Sequence, residues 1–153
     1  MLLNRNTIFP AAVTAKPIQY ALGALRRDFD RIFAATAAPG GRLRLTINHT
    51  LAAEQYTLTA GTDTLLLSAS DDLGFVYGLF EISRHFLGVQ PFWFWNDQPF
   101  EVRESVKIPT NTVIESKPAR VTYRGWFIND ETLLSHWKVE RRADLPFIMT
   151  FET

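Results

Sequence analysis

Apolar side chains at Ile18, Ala21, Leu22, Leu25, Phe29, Ile32 and Phe33 recur every three or four residues, while Arg26, Arg27, Asp30 and Arg31 fall mostly on the opposite side. This spacing predicts an amphipathic helix. Pro17 can open it without losing a hydrogen bond, and Pro39, Gly40 and Gly41 close it. The period then changes. Leu43, Leu45 and Ile47 alternate with Arg44 and Thr46, and Tyr56 and Leu58 alternate with Gln55, Thr57 and Thr59, as in strands with one wet face. The turn at Gly61 to Thr64 joins the second run to Leu65, Leu67 and Ala69 as a β-hairpin. Upstream of the helix, Thr7 to Val13 reads as a short strand that Pro10 confines to an edge or a bulge.

Asp71 and Asp72 place carboxylates where a helix N-terminus wants acceptors and negative charge. Phe75, Val76, Leu79, Phe80, Ile82 and Phe86 make the helix that follows mostly buried, and Gly88 ends it. Gly74 and Gly78 lie four apart on one face, so they predict a close approach to a sheet or another helix. Next come an aromatic block, Phe92 to Trp95, and a second hairpin predicted from Phe100 to Ile108 with Arg103 and Glu104 near its turn. Pro109 to Thr112 open a linker-like stretch that Ser116, Lys117 and Pro118 close, which divides the chain into 1–115 and 116–153. In the second part, Val121, Tyr123, Gly125 and Phe127 surround a short strand, and a charged helical segment runs from Lys138 to Asp144. Phe147, Ile148, Met149 and Phe151 crowd the final residues, which predicts packing partners beyond Thr153.

The fold expected is α/β (α+β): a mixed, mainly antiparallel sheet carrying two helices on one face. With 153 residues, 46% of them hydrophobic and 21% charged, the chain has the composition of a domain with a sizeable core. Sixteen basic residues balance sixteen acidic ones, so no net charge favours nucleic acid or a membrane surface as partner. The absence of cysteine excludes disulfide scaffolds and thiol catalysis. Asn4, Arg5 and Asn6 interrupt any secretory apolar run, and no window reaches the length of a membrane span, so a cytoplasmic location is expected.

Two segments carry a family resemblance. Asp72-Leu73-Gly74-Phe75-Val76-Tyr77-Gly78-Leu79-Phe80-Glu81-Ile82-Ser83, followed by Gly88-Val89 and Pro91 through Asp97, resembles the N-terminal domain of glycoside hydrolase family 115. Tyr123-Arg124-Gly125-Trp126-Phe127-Ile128-Asn129-Asp130-Glu131 is similar to that family's approach to its first barrel strand. The resemblance is strongest from Ser70 to Glu131, whereas residues 1–69 match in layout. It implies a small α/β domain of the kind that precedes the catalytic barrel in hexosaminidases and α-glucuronidases, within an enzyme that removes glucuronic acid or its methyl ether from xylan side chains. A (β/α)₈ barrel takes about 250 residues. The part after the linker is far shorter, so the fragment is expected to be non-catalytic and to support a barrel formed by the rest of its own chain.

On that reading Asn129, Asp130 and Glu131 sit at the end of the first barrel strand, where barrel enzymes collect their site residues. They are the substrate-binding candidates for carbohydrate in the complete enzyme. The competing reading makes Asp130 a helix cap and Glu131 part of the first turn. Phe92, Trp93, Phe94 and Trp95 have two readings as well, a core and interface cluster or a sugar-stacking platform. The latter would make the chain a carbohydrate-binding module using Trp93 and Trp95. A third reading is a homodimer formed through the apolar tail. His49, His85 and His136 lack ligand spacing, and Asp71, Asp72, Glu81, Asp97 and Glu101 form no recognisable acid/base pair. Phosphate-loop, nucleophile-elbow and zinc motifs are absent. No catalytic residue, metal or cofactor is therefore assigned.

Overall fold

A computed structural model of the chain describes residues 1–91, 93 and 98–125. It separates the chain into two units, Met1–Arg120 and Val121–Thr153. In the first, the described elements are β1 (Leu2–Leu3), α1 (Lys16–Ile32), β2 (Arg42–Ile47), β3 (Tyr56–Ala60), β4 (Thr64–Ala69), α2 (Asp72–Ile82), a π-helical turn (Ser83–Leu87), β5 (Val106–Lys107) and β6 (Val113–Glu115). Four strands form a mixed sheet in the order β2-β4-β3-β6, in which β2 and β4 run parallel and the other two pairings are antiparallel. The α/β architecture with its mainly antiparallel sheet and two helices is thus observed. No described helix is long and apolar enough to cross a membrane.

The hairpin of β3 and β4 forms where the alternation places it, with Leu58 opposite Leu67. Parallel pairing of β2 with β4 is a long-range feature that alternation alone cannot encode, because period two fixes which face is buried and leaves the neighbour open. Leu43, Leu58, Leu65, Leu67 and Ala69 point to the buried face, and Arg44 and Thr59 lie in solvent. α2 covers β3 and β4, and α1 packs on α2. The glycines set how close α2 lies. A methyl group at Gly78 would collide with the side chain of Leu67, and one at Gly74 would stand 2.7 Å from the Gln55 carbonyl oxygen. Gly88 adopts φ 75° and ends the π turn in the left-handed conformation that suits glycine.

Asp71 caps α2 as its position predicts. Its Oδ1 accepts from Gly74 N at 2.8 Å, and its Oδ2 accepts from Glu54 N at 2.7 Å. The second bond holds Glu54 at φ 62°, an unusual value for a residue other than glycine.

Several local expectations are corrected. The first strand is Leu2–Leu3, not Thr7 to Val13, and of the latter segment only Ile8 makes a bridge, to Arg42. The Asn4 to Thr7 polar run folds into a turn: Asn4 is fully buried, its Nδ2 donates to the Ala38 and Pro39 carbonyls, and its Oδ1 accepts from Asn6 N. No hairpin spans Phe100 to Ile108. Arg103 bridges Phe33 at the end of α1, while Val106–Lys107 pairs with Leu2–Leu3, because these short segments find partners far away in sequence. Val113–Glu115, inside the expected linker, adds to the sheet as β6 against β3. In the second unit, the described residues 121–125 form no strand, and Phe127 with the remainder of the expected strand lies outside the described residues.

Candidate functional site

Asn129, Asp130 and Glu131 lie outside the described residues, as do Phe92, Phe94, Trp95, Asp97, His136 and the apolar tail. Of the aromatic block, Trp93 is described. It is half-buried against the core, meets Phe100 edge-on at 5.2 Å, and has the Arg31 guanidinium 3.9 Å from its ring centroid. Trp93 thus packs against the core, with Arg31 over one face of its ring.

Three of the described acids have structural partners. Asp71 is a helix cap, and Glu101 pairs with Arg103 at 3.4 Å on the surface. Glu81 takes two hydrogen bonds from Arg84, at 2.9 and 2.6 Å, with His85 Nδ1 at 3.8 Å. Burial, reinforced by the Glu81 charge, pushes the neighbouring Tyr56 phenol up to about 12. His49 and His85 are exposed, and no cluster of three metal-ligating side chains occurs among the described residues.

A cleft of about 610 Å³ opens between α1 and the α2–π segment. α1 contributes Arg27 and Asp28 and, one turn on, Arg31, and the opposite wall carries Tyr77, Phe80 and Ser83 spaced by three. Asp28 is 7% exposed and accepts a 2.7 Å hydrogen bond from Ser83 Oγ on its Oδ2. Burial raises its pKa above the ordinary carboxylate value, and the Ser83 bond and the charges of Arg31 and Arg27 oppose that rise. Phe80, which the pattern places in a mostly buried helix, is 48% exposed on the cleft wall. Beyond the π turn, Gln98 clamps the rim: Nε2 donates to the Gly88 carbonyl at 2.6 Å, and Oε1 accepts from Gln90 N at 2.9 Å.

Sequence reasoning missed this cleft. Its signal is Asp28 itself, which falls three residues after Leu25 and four before Ile32, squarely on the apolar stripe of α1. A carboxylate in such a position needs a partner, and helical spacing alone does not identify Ser83 as that partner.

No protein-family model matches the chain, and none of the curated proteins does. Among solved structures, the fold is similar to part of a family GH115 4-O-methyl-α-glucuronidase with specificity for decorated arabinogalactans, with a TM-score of 0.60 and 21% sequence identity over 76% of this chain. The chain spans 18% of that protein's length. At this identity the likeness establishes the fold.

Proposed function

We propose that this chain is a non-catalytic α/β domain of a polysaccharide-degrading glycoside hydrolase, which braces a catalytic barrel in the same polypeptide. The observation that carries the reading is the fold shared with 18% of an α-glucuronidase, in a chain whose Asp72-to-Ser83 segment and following aromatic block resemble the same family. Two independent kinds of likeness, one in sequence motif and one in backbone, point to one family. The substrate class that follows is a plant polysaccharide bearing glucuronic acid or its methyl ether on side chains. Glucuronoxylan is the substrate that the sequence resemblance favours, and decorated arabinogalactan is the substrate of the structural neighbour. Asn129, Asp130 and Glu131 are proposed as substrate-facing residues at the first barrel strand of the complete enzyme, where hydrolysis needs carboxylates placed across the scissile bond.

The test incubates the 153-residue chain and the polypeptide encoded by the whole reading frame with glucuronoxylan and with arabinogalactan, following released acidic sugar. Release by the longer protein alone is the expected result. Release by the short chain would overturn the assignment of a bracing role.

A further inference from the structure

Helix α2 is apolar on every side: between Asp72 and Glu81 it carries no charged residue. A helix of that kind is buried all round in a finished fold. One side of α2 does meet the core, through Phe75, Leu79 and Ile82, but Leu73, Tyr77 and Phe80 are 45%, 38% and 48% exposed. Spaced by four and three, these side chains form a stripe opposite the buried side of the helix. On α1, Tyr20, Ala24, Arg27 and Arg31 follow the same spacing, and the last three line the wall that faces Tyr77 and Phe80.

The far side of the sheet is of another kind. Alternation turns Arg44, Thr46, Thr57, Thr59 and Ser68 away from the buried leucines, so that face is largely polar and suited to water. An exposed apolar stripe, by contrast, marks a contact with protein. Shape says which kind. The two stripes flank the cleft of about 610 Å³, and a groove between two helices receives the side-chain ridge of a third. The outer surface of a (β/α)₈ barrel is a ring of helices. Charge agrees, because Asp28 is buried on Ser83 and the groove presents Arg27 and Arg31 to whatever covers it. An acidic helix suits that surface, whereas a second copy of the chain would set basic surface against basic surface.

We infer that the α1–α2 groove is the surface on which the catalytic barrel rests. It holds an outer helix of that barrel, with apolar side chains against Leu73, Tyr77 and Phe80 and an acidic side chain opposite Arg27. The inference rests on the bracing role proposed above and names the face through which it is exerted. Leu73 and Phe80 are the positions to test, because they are exposed and their replacement leaves the domain's own core intact.

The experiment places the photo-crosslinking residue p-benzoylphenylalanine at Phe80 in the polypeptide of the whole reading frame. The control carries it at Val113, which is 53% exposed on the polar side of the sheet. Products are separated into those within one molecule and those between two, and are mapped by mass spectrometry. Cross-linking within one molecule, from position 80 to a peptide that follows residue 153, is expected, with loss of that product when the probe is at position 113. Phe80→Glu and Leu73→Glu should also split a single melting transition into two, whereas Val113→Glu leaves it single. Persistence of this domain's own transition shows that the variants fold. Cross-links between two molecules, equal yields from positions 80 and 113, or a single transition in every variant would overturn the inference. Acidic-sugar release by the native protein keeps the two ideas apart. Release without the cross-link overturns the groove contact and leaves the bracing reading, while the cross-link without release upholds the contact and overturns the glycosidase assignment.

Discussion

Ser83 Oγ donates a 2.7 Å hydrogen bond to Asp28 Oδ2, joining two residues 55 apart in sequence and fixing the start of the π turn against α1. The bond matters because it is a polar contact at the seam of the two helices, where Leu25, Ile32, Leu79 and Ile82 are apolar and buried.

Asp28 should make stability fall as pH rises through the acid range. Its folded pKa lies above the ordinary value of 3.8 because burial penalises the charged form. The folded state therefore holds the proton more tightly. The stabilisation this gives is present below the unfolded value and is lost as pH climbs through the raised folded value. Asp28→Asn lacks that titration while its carbonyl can still accept from Ser83. The melting temperature of the variant minus that of the wild type should thus increase from strongly acidic pH and level off toward neutrality. A difference that stays flat across this range would show that Asp28 is not desolvated in the folded state.

Gly78→Ala should destabilise the domain. The added methyl meets Leu67, which is fully buried and cannot swing away. Overpacking of this kind costs about 1–3 kcal/mol, which outweighs the gain of up to about 1 kcal/mol in helix propensity. Gly23→Ala in α1 meets only the end of Arg27 at 3.8 Å, so the propensity gain should appear there undiminished. Urea denaturation of both variants checks the opposite signs. Combining Gly78→Ala with Leu67→Ala should cost less than the sum of the two single changes, as expected for groups that collide.

Asp71→Ala removes acceptors for Gly74 N and Glu54 N together. A lost N-cap costs about 1 to 2 kcal/mol, and release of the Glu54 turn adds to it. Asp71→Asn keeps one acceptor oxygen but turns an N–H group toward a donor, so its midpoint in denaturant should fall between those of wild type and the alanine variant.

Arg31 and Trp93 should be energetically coupled. The guanidinium lies 3.9 Å from the ring centroid with Phe100 beside it. A double-mutant cycle of Arg31→Ala and Trp93→Ala should give a coupling of about 0.5 to 1 kcal/mol, the range for such a pair at the surface. Strict additivity would mean that the stacking contributes nothing.

Both helices, the alternating strands and the β3–β4 hairpin were legible in the sequence because each depends on residues close together in the chain. Gly74 and Gly78 were legible for the same reason, since their spacing alone places them on one face. The parallel partnership of β2 with β4, the pairing of Leu2–Leu3 with Val106–Lys107 and the addition of β6 were not. Those contacts join short segments whose own pattern is too brief to name a neighbour. The cleft was hidden for a related reason: Arg27 and Arg31 read as the wet face of one helix and Phe80 as the core of another. Only the packing of α1 on α2 brings them together with Asp28.

The proposed role, support of a glycoside hydrolase barrel by this α/β domain, makes activity depend on the domain's fold. The most direct measurement is acidic-sugar release from glucuronoxylan and decorated arabinogalactan by the polypeptide of the whole reading frame, in its native form and carrying Gly78→Leu. The native protein should release sugar from at least one polysaccharide, and the variant should lose that activity in step with the melting of this domain. Sugar release by the variant after this domain has unfolded, or no release by the native protein from either polysaccharide, would contradict the claim.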